Sequence, residues 1–157
     1  MTLWTENDLS AARAGHKKSL IVYALVAAVW LGASVVILVL SKNKNYVPFM
    51  IADMVFGTLF SWFSVWFFSN PFHDGKKRIA LYGFMAASLA EEESGKVVSV
   101  SDITKDGLPL IGVTLEKGDN ERKIYVLPRY ADLIEVGKTY KFTVRYNVAT
   151  ECGVTDE

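Results

Sequence analysis

Ser19–Leu40 (SLIVYALVAAVWLGASVVILVL) runs for 22 residues without a charge. About 20 apolar residues carry a helix across a hydrocarbon core of ~30 Å, and a soluble helix of that length would show a polar face. A second run, Tyr46–Ser69 (YVPFMIADMVFGTLFSWFSVWFFS), holds a single charge, Asp53. The connector Ser41-Lys42-Asn43-Lys44-Asn45 permits only an antiparallel hairpin. Pro48 falls in the first turn of the second helix, where a missing N–H does no harm. Asn70-Pro71 is expected to end that helix, since proline drives its predecessor out of the α region. A secretory signal would have a shorter apolar core and a small-residue cleavage site. The first run ends Leu38-Val39-Leu40-Ser41-Lys42 instead, so we expect it to be retained.

Basic residues set the expected orientation. Arg13, Lys17 and Lys18 precede the hairpin, and Lys76, Lys77 and Arg78 follow it, against Lys42 and Lys44 in the connector. The positive-inside rule then places both termini in the cytoplasm of a multi-pass protein, in the plasma membrane. Residues 76–78 are expected at the lipid surface, with Trp62 and Trp66 in an interfacial aromatic belt. Small residues recur every four positions: Ala24, Ala28 and Gly32 on the first helix, Gly57 and Ser61 on the second. Such stripes let helix backbones approach in lipid, within the hairpin or toward another subunit.

Asp53 and Ser61 are the intramembrane polar candidates. Asp53, Gly57 and Ser61 share one helix face, and charged groups in a span usually face protein or water. Three readings of Asp53 compete. It pairs with Lys42 or Lys44, it hydrogen-bonds across a helix contact, or it binds a proton or cation in an oligomer.

Residues 1–18 read as a cytoplasmic lead-in with a short amphipathic helix. Thr5 and Asp8 form a weak capping box, and Trp4 and Leu9 are expected to rest in the membrane interface. Residues 70–94 read as a juxtamembrane linker. Pro71–Gly75 is a turn there, and the apolar run Ile79–Ala90 is too short to span. That run is expected to lie on the membrane or beneath the soluble domain. Glu91-Glu92-Glu93 reads as a solvated run.

From Gly95 the pattern changes to period two. Strands are expected at Lys96–Val100, Leu110–Leu115 and Arg122–Leu127, with turns at Lys105-Asp106-Gly107 and Lys117-Gly118-Asp119-Asn120. Pro128–Glu135 reads as a short helical turn. Lys138–Val148 is one long strand in which Tyr140, Phe142, Val144 and Tyr146 alternate with polar residues. Thr150–Glu157 supplies a fifth strand or a tail. The fold class is therefore a two-helix transmembrane hairpin with a C-terminal all-β small barrel at 95–157, OB-like or SH3-like, since closure removes exposed edges. The layout is similar to bacterial membrane proteins with a hairpin anchor and a cytoplasmic OB-like domain, such as the NfeD group. That similarity is one of arrangement, and no residue role is carried over from it.

Composition narrows the function. The formal charge is zero overall, but residues 91–157 hold nine Lys/Arg and thirteen Asp/Glu. An acidic domain argues against nucleic acid, whose binding depends on neutralising phosphates. Cys152 is the sole cysteine, and no metal-ligand spacing, phosphate loop or nucleophile elbow is present. We expect no metal, no cofactor and no enzymatic activity. The expected role is a membrane-anchored interaction or scaffold module, with the bilayer and a protein partner or second copy as its associates. Tyr125, Arg129, Tyr130, Lys141 and Arg145 are the candidate partner surface. The alternatives are an oligomeric transporter or channel component using Asp53, and a lipid- or ligand-sensing module.

Overall fold

The computed structural model describes residues 1–42, 46–118 and 120–155. Lys44 and Asp119, named above in the connector and in a turn, lie outside them. The chain divides into two compact units, Arg13–Lys76 and a second that joins Met1–Ala12 to Lys77–Glu157.

The first unit is built on α1 (Glu6–Ser41) and α2 (Tyr46–Phe67), both within helical stretches long and apolar enough to cross a membrane. The separate amphipathic helix expected in residues 1–18 does not form, because α1 is continuous from Glu6. Its start follows the expected cap: the Thr5 backbone N–H donates to Asp8 Oδ2 at 2.9 Å. Asn70-Pro71 does not end the second helix either. A π-helical turn, Phe68–Phe72, carries the chain through Pro71 into α3 (His73–Ala87), so Pro71–Gly75 is helical rather than a turn. The wider turn tolerates the absent proline N–H, and Asn70 Nδ2 donates to the Trp66 carbonyl at 3.2 Å.

The second unit is a five-stranded sheet with α3 against it. Its strands are β1 (Glu91–Lys105), β2 (Leu108–Lys117), β3 (Asn120–Val126), β4 (Thr139–Arg145) and β5 (Val148–Val154). A 3-10 helix, Pro128–Leu133, fills the expected helical turn between β3 and β4. Pairings run in the order β1-β2-β3-β5-β4, and β4 pairs back to β1. β1 serves two neighbours because it bends. Its first residues pair with β4, its later ones with β2, and Lys96 pairs with both. Glycine is required at this crossing, since a side-chain Cβ at Gly95 would stand 2.7 Å from the Glu116 carbonyl oxygen.

Two expected boundaries move. Glu91–Glu93 opens β1, with Glu91 and Glu92 exposed to solvent as expected, and its charges are matched from across the sheet. Arg122 pairs with Glu91 at 2.7 Å and with Glu93, and Lys141 pairs with Glu92 at 2.7 Å. The long strand Lys138–Val148 breaks at Tyr146-Asn147, whose φ values of 53° and 58° make a tight hairpin turn between β4 and β5. A bulky residue rarely adopts positive φ. The Tyr146 ring offsets that cost by stacking on Phe84 of α3 at 5.2 Å between centroids. The Asp106-Gly107 turn forms as expected, with φ of 54° and 72°.

Two apolar clusters hold this unit. One lies among the strands and includes Val113, Ile124, Val126, Phe142 and Val144; the other sits under α3 and includes Leu81, Met85, Leu108, Leu110 and Leu127. The Ile79–Ala90 run therefore packs against the sheet. The chain's first residues join both clusters, Leu3 (2 % exposed) in the first and Trp4 (6 % exposed) in the second. Trp4 is thus core, not a residue of the membrane interface. Thr2 bridges to Glu151, the Leu3 and Trp4 N–H groups both donate to the Thr150 carbonyl, and Cys152 N–H donates to the Met1 carbonyl at 2.8 Å. β5 otherwise pairs with β3 only at Tyr125–Val148, so Met1–Trp4 covers the edge that β5 leaves open.

Arg129 adds a second fastening, donating from Nη2 to the Leu3 carbonyl at 3.2 Å and to Asp8 Oδ1 at 3.0 Å. Leu3→Ala should cost roughly 2–4 kcal/mol, as for other fully buried leucines, measured by hydrogen exchange at β5 amides in the full chain. Burial pushes the Asp8 carboxyl up, but the Thr5 N–H and the Arg129 guanidinium pull it down by more, leaving it below its ordinary value of 3.8. The folded state therefore favours the carboxylate. Its contribution is complete above the unfolded value and is lost as pH falls through the folded one. Asp8→Asn should lower the melting temperature at pH 7, and the difference from the parent should shrink below about pH 4.

Candidate functional site

Between α1 and α2 the contact face is set by aromatic residues. Tyr23 stacks on Phe67 with centroids 4.7 Å apart, and Trp30 stacks on Phe60 at 4.5 Å. Both add a polar bond across the pair: Tyr23 OH donates to Ser64 Oγ at 3.0 Å, and Trp30 Nε1 to the Phe56 carbonyl at 3.3 Å. Half-buried positions on α1 include Tyr23, Ala27, Trp30, Ser34 and Ile37, the 3.5-residue spacing of a supercoiled seam. Ala24, Ala28 and Gly32 fall outside it, on the exposed side. Gly57 lies on the seam. Ser61 does not, and its hydroxyl donates to the Gly57 carbonyl at 2.8 Å. The small-residue stripes therefore do not meet each other. Large rings that also hydrogen-bond across the seam hold the backbones apart, and a Cβ at Gly32 or Gly57 would meet nothing within 4 Å. Trp62 (79 % exposed) and Trp66 point away from the seam.

Asp53 sits on the seam, with Oδ1 buried and without a hydrogen-bond partner; Ser34 Oγ is in the same condition. The two occupy one level. Ser34 lies eleven residues after Tyr23, and Asp53 lies eleven before Ser64, the residue that Tyr23 bonds. Among the described residues Asp53 has no ion pair, Lys42 included.

The expected partner surface is distributed among the second unit's own contacts. Lys105 Nζ lies 4.4 Å from the ring centres of both Tyr125 and Tyr146. Burial pulls the Lys105 amine below its ordinary value, against the opposing pull of Asp106. Arg129 lies over the Tyr130 ring at 4.8 Å while holding Leu3 and Asp8. Lys141 is paired with Glu92. Arg145 is half-buried on β4. Instead, the exposed aromatic patch is formed by Phe84 and Tyr146. The sequence places Tyr146 with Tyr140, Phe142 and Val144 on one face of a continuous strand and does not single out Phe84, because the ring pair depends on a turn the sequence does not announce.

Of the three basic residues after the hairpin, Lys76 lies over Phe72 at 5.4 Å, and Lys77 Nζ reaches the Gly107 carbonyl at 3.5 Å. Arg78 is exposed and borders a cleft of about 280 Å³ together with Tyr82 and Arg129. The cleft's apolar lining comes from leucines of α3, β2 and the end of β3. Tyr82 and these leucines were not singled out, since the sequence marks them only as apolar periodicity.

Among the described residues no three His, Cys, Asp or Glu side chains are grouped to hold a metal ion. Cys152 is half-buried, and burial holds its thiol above the ordinary range. No protein-family model matches the chain, and the search of curated proteins found no match.

An unpartnered carboxylate in a helix seam is a burden unless something else engages it. Asp53→Leu should stabilise the helix pair by about 1–3 kcal/mol, measured as reversible unfolding in mixed micelles.

Proposed function

We propose that the chain is a non-enzymatic membrane-anchored interaction module. Its hairpin crosses the bilayer twice with both ends in the cytoplasm, and its β unit is an OB-like barrel offered to a protein partner. One observation carries this reading: the residues before the helix pair and those after it fold into the same unit, Met1–Ala12 with Lys77–Glu157. Such a module is joined to its anchor at two points of the chain rather than one. The excess of basic residues on those flanks supports their cytoplasmic placement. The apolar residues exposed on the helices, such as Val29, Leu59 and Val65, suit lipid contact. The OB-like assignment is supported by a long β1 shared between β2 and β4 and by the parallel contact of β3 with β5.

The partner surface in this reading is the Phe84–Tyr146 patch. Both rings are exposed, and aromatic residues supply much of the energy of protein interfaces. The alternative, an oligomeric transporter or channel component, is favoured by the unpartnered Asp53 and Ser34 atoms. Gentle extraction of the tagged chain, with mass spectrometry of associated proteins and light scattering, separates the two. A stoichiometric partner that is lost with Phe84→Ala and retained with Asp53→Asn is the expected result. A partner-free homo-oligomer whose ion flux in liposomes ends with Asp53→Asn would replace this reading with the alternative.

A further inference from the structure

The cleft beside α3 has a chemistry that partner binding does not use. Its floor is apolar: Leu81 comes from α3, Leu108 and Leu110 from β2, and Leu127 follows β3, all buried. Trp4 belongs to the same cluster and packs on Tyr82, with ring centroids 6.4 Å apart. The rim is cationic. Arg78 and Tyr82 stand on α3, and Arg129 stands on the 3-10 helix.

These donors are largely free. Arg78 makes no hydrogen bond or ion pair among the described residues, nor does the Tyr82 hydroxyl donate to one. Arg129 makes both of its bonds from Nη2, to the Leu3 carbonyl and to Asp8, which leaves Nη1 and Nε unpartnered. Asp8 offsets the charge of Arg129 but not its remaining N–H groups, and Arg78 adds a full positive charge.

An apolar floor alone would accept any greasy group, and a pair of arginines alone would accept any small anion. Together they select a ligand that has both parts. Guanidinium forks match the paired oxygens of phosphate, and donors from two separate elements suit a group with several anionic oxygens. A volume of about 280 Å³ corresponds to roughly nine waters at ~30 Å³ each. That admits a phosphate with a few attached carbons. We propose that the cleft between α3 and the 3-10 helix binds a phosphate ester with a short, weakly polar carbon portion, through Arg78, Arg129 and Tyr82. Two sources share this chemistry: a membrane lipid headgroup and a soluble phosphate ester. The site does not depend on the partner-binding reading.

The test uses the full chain in nanodiscs of neutral phosphatidylcholine. Glycerol 3-phosphate is titrated by calorimetry, and in parallel phosphatidic acid is included in the discs and its retention is read by native mass spectrometry. Saturable binding of either probe is expected. Glycerol 3-phosphate binding identifies a soluble ester as sufficient, whereas retention of phosphatidic acid alone identifies the lipid. Arg78→Gln should weaken binding about tenfold or more. It removes an exposed side chain without protein partners, so folding is preserved. Lys76→Gln, two residues away and outside the cleft lining, should leave affinity unchanged. Absence of saturable binding for both probes overturns the proposal. So does binding that is unchanged by Arg78→Gln, or that Lys76→Gln weakens equally, since either would mean surface attraction rather than this cleft.

Discussion

The second unit depends on how the edge of β5 is closed. β5 pairs fully with β4, but meets β3 only where Val148 faces Tyr125. Beyond that point its outer backbone groups would be open to water or to another chain. Met1–Trp4 takes that place. The Thr150 carbonyl accepts two N–H groups, and the two side chains it positions go to different cores, Leu3 among the strands and Trp4 under α3. Two adjacent residues thereby connect the sheet interior to the helix that covers it. Arg129 holds the Leu3 carbonyl and Asp8, which fixes the start of α1 to the 3-10 helix.

The helix pair is organised by a different rule. In lipid, small residues permit close backbone contact, but contact also forms where large side chains bond across the seam. Tyr23 and Trp30 each bring a ring to stack and a polar hydrogen to place. Once they set the face, Ala24 and Ala28 lie off it, because each follows a seam position, Tyr23 or Ala27, by one residue and about 100° of rotation. Ser34 and Asp53 share a level as a consequence of that register.

What the sequence announced and what it concealed separate along physical lines. Runs without charge and strict alternation are local signals, and they revealed both long helices, the inward Tyr140, Phe142 and Val144, and the Asp106-Gly107 turn. Signals that depend on distant partners were illegible. That Glu91–Glu93 is strand shows only when Arg122 and Lys141 are brought opposite. Pro71 resembles a helix end until a π turn absorbs it. Tyr146-Asn147 has no glycine, and its turn is stabilised by Phe84, over sixty residues earlier. The candidate cleft was half visible. Arg78 and Arg129 stood out as charges, while Tyr82 and the floor leucines were indistinguishable from ordinary core positions until α3 was seated on the sheet.

The pairing of Met1–Trp4 with residues 150–152 also has a consequence in time. The residues that close the sheet are made before the helix pair, and the strand they cover is made after it. At ordinary synthesis rates roughly 10–30 s separate them. Throughout that interval Leu3 and Trp4 have no core to enter, and the edge they will cover does not exist. The β unit is therefore an obligately late folder. It cannot be completed before residues 150–152 emerge, and the apolar Leu3 and Trp4 must be kept from other partners until then.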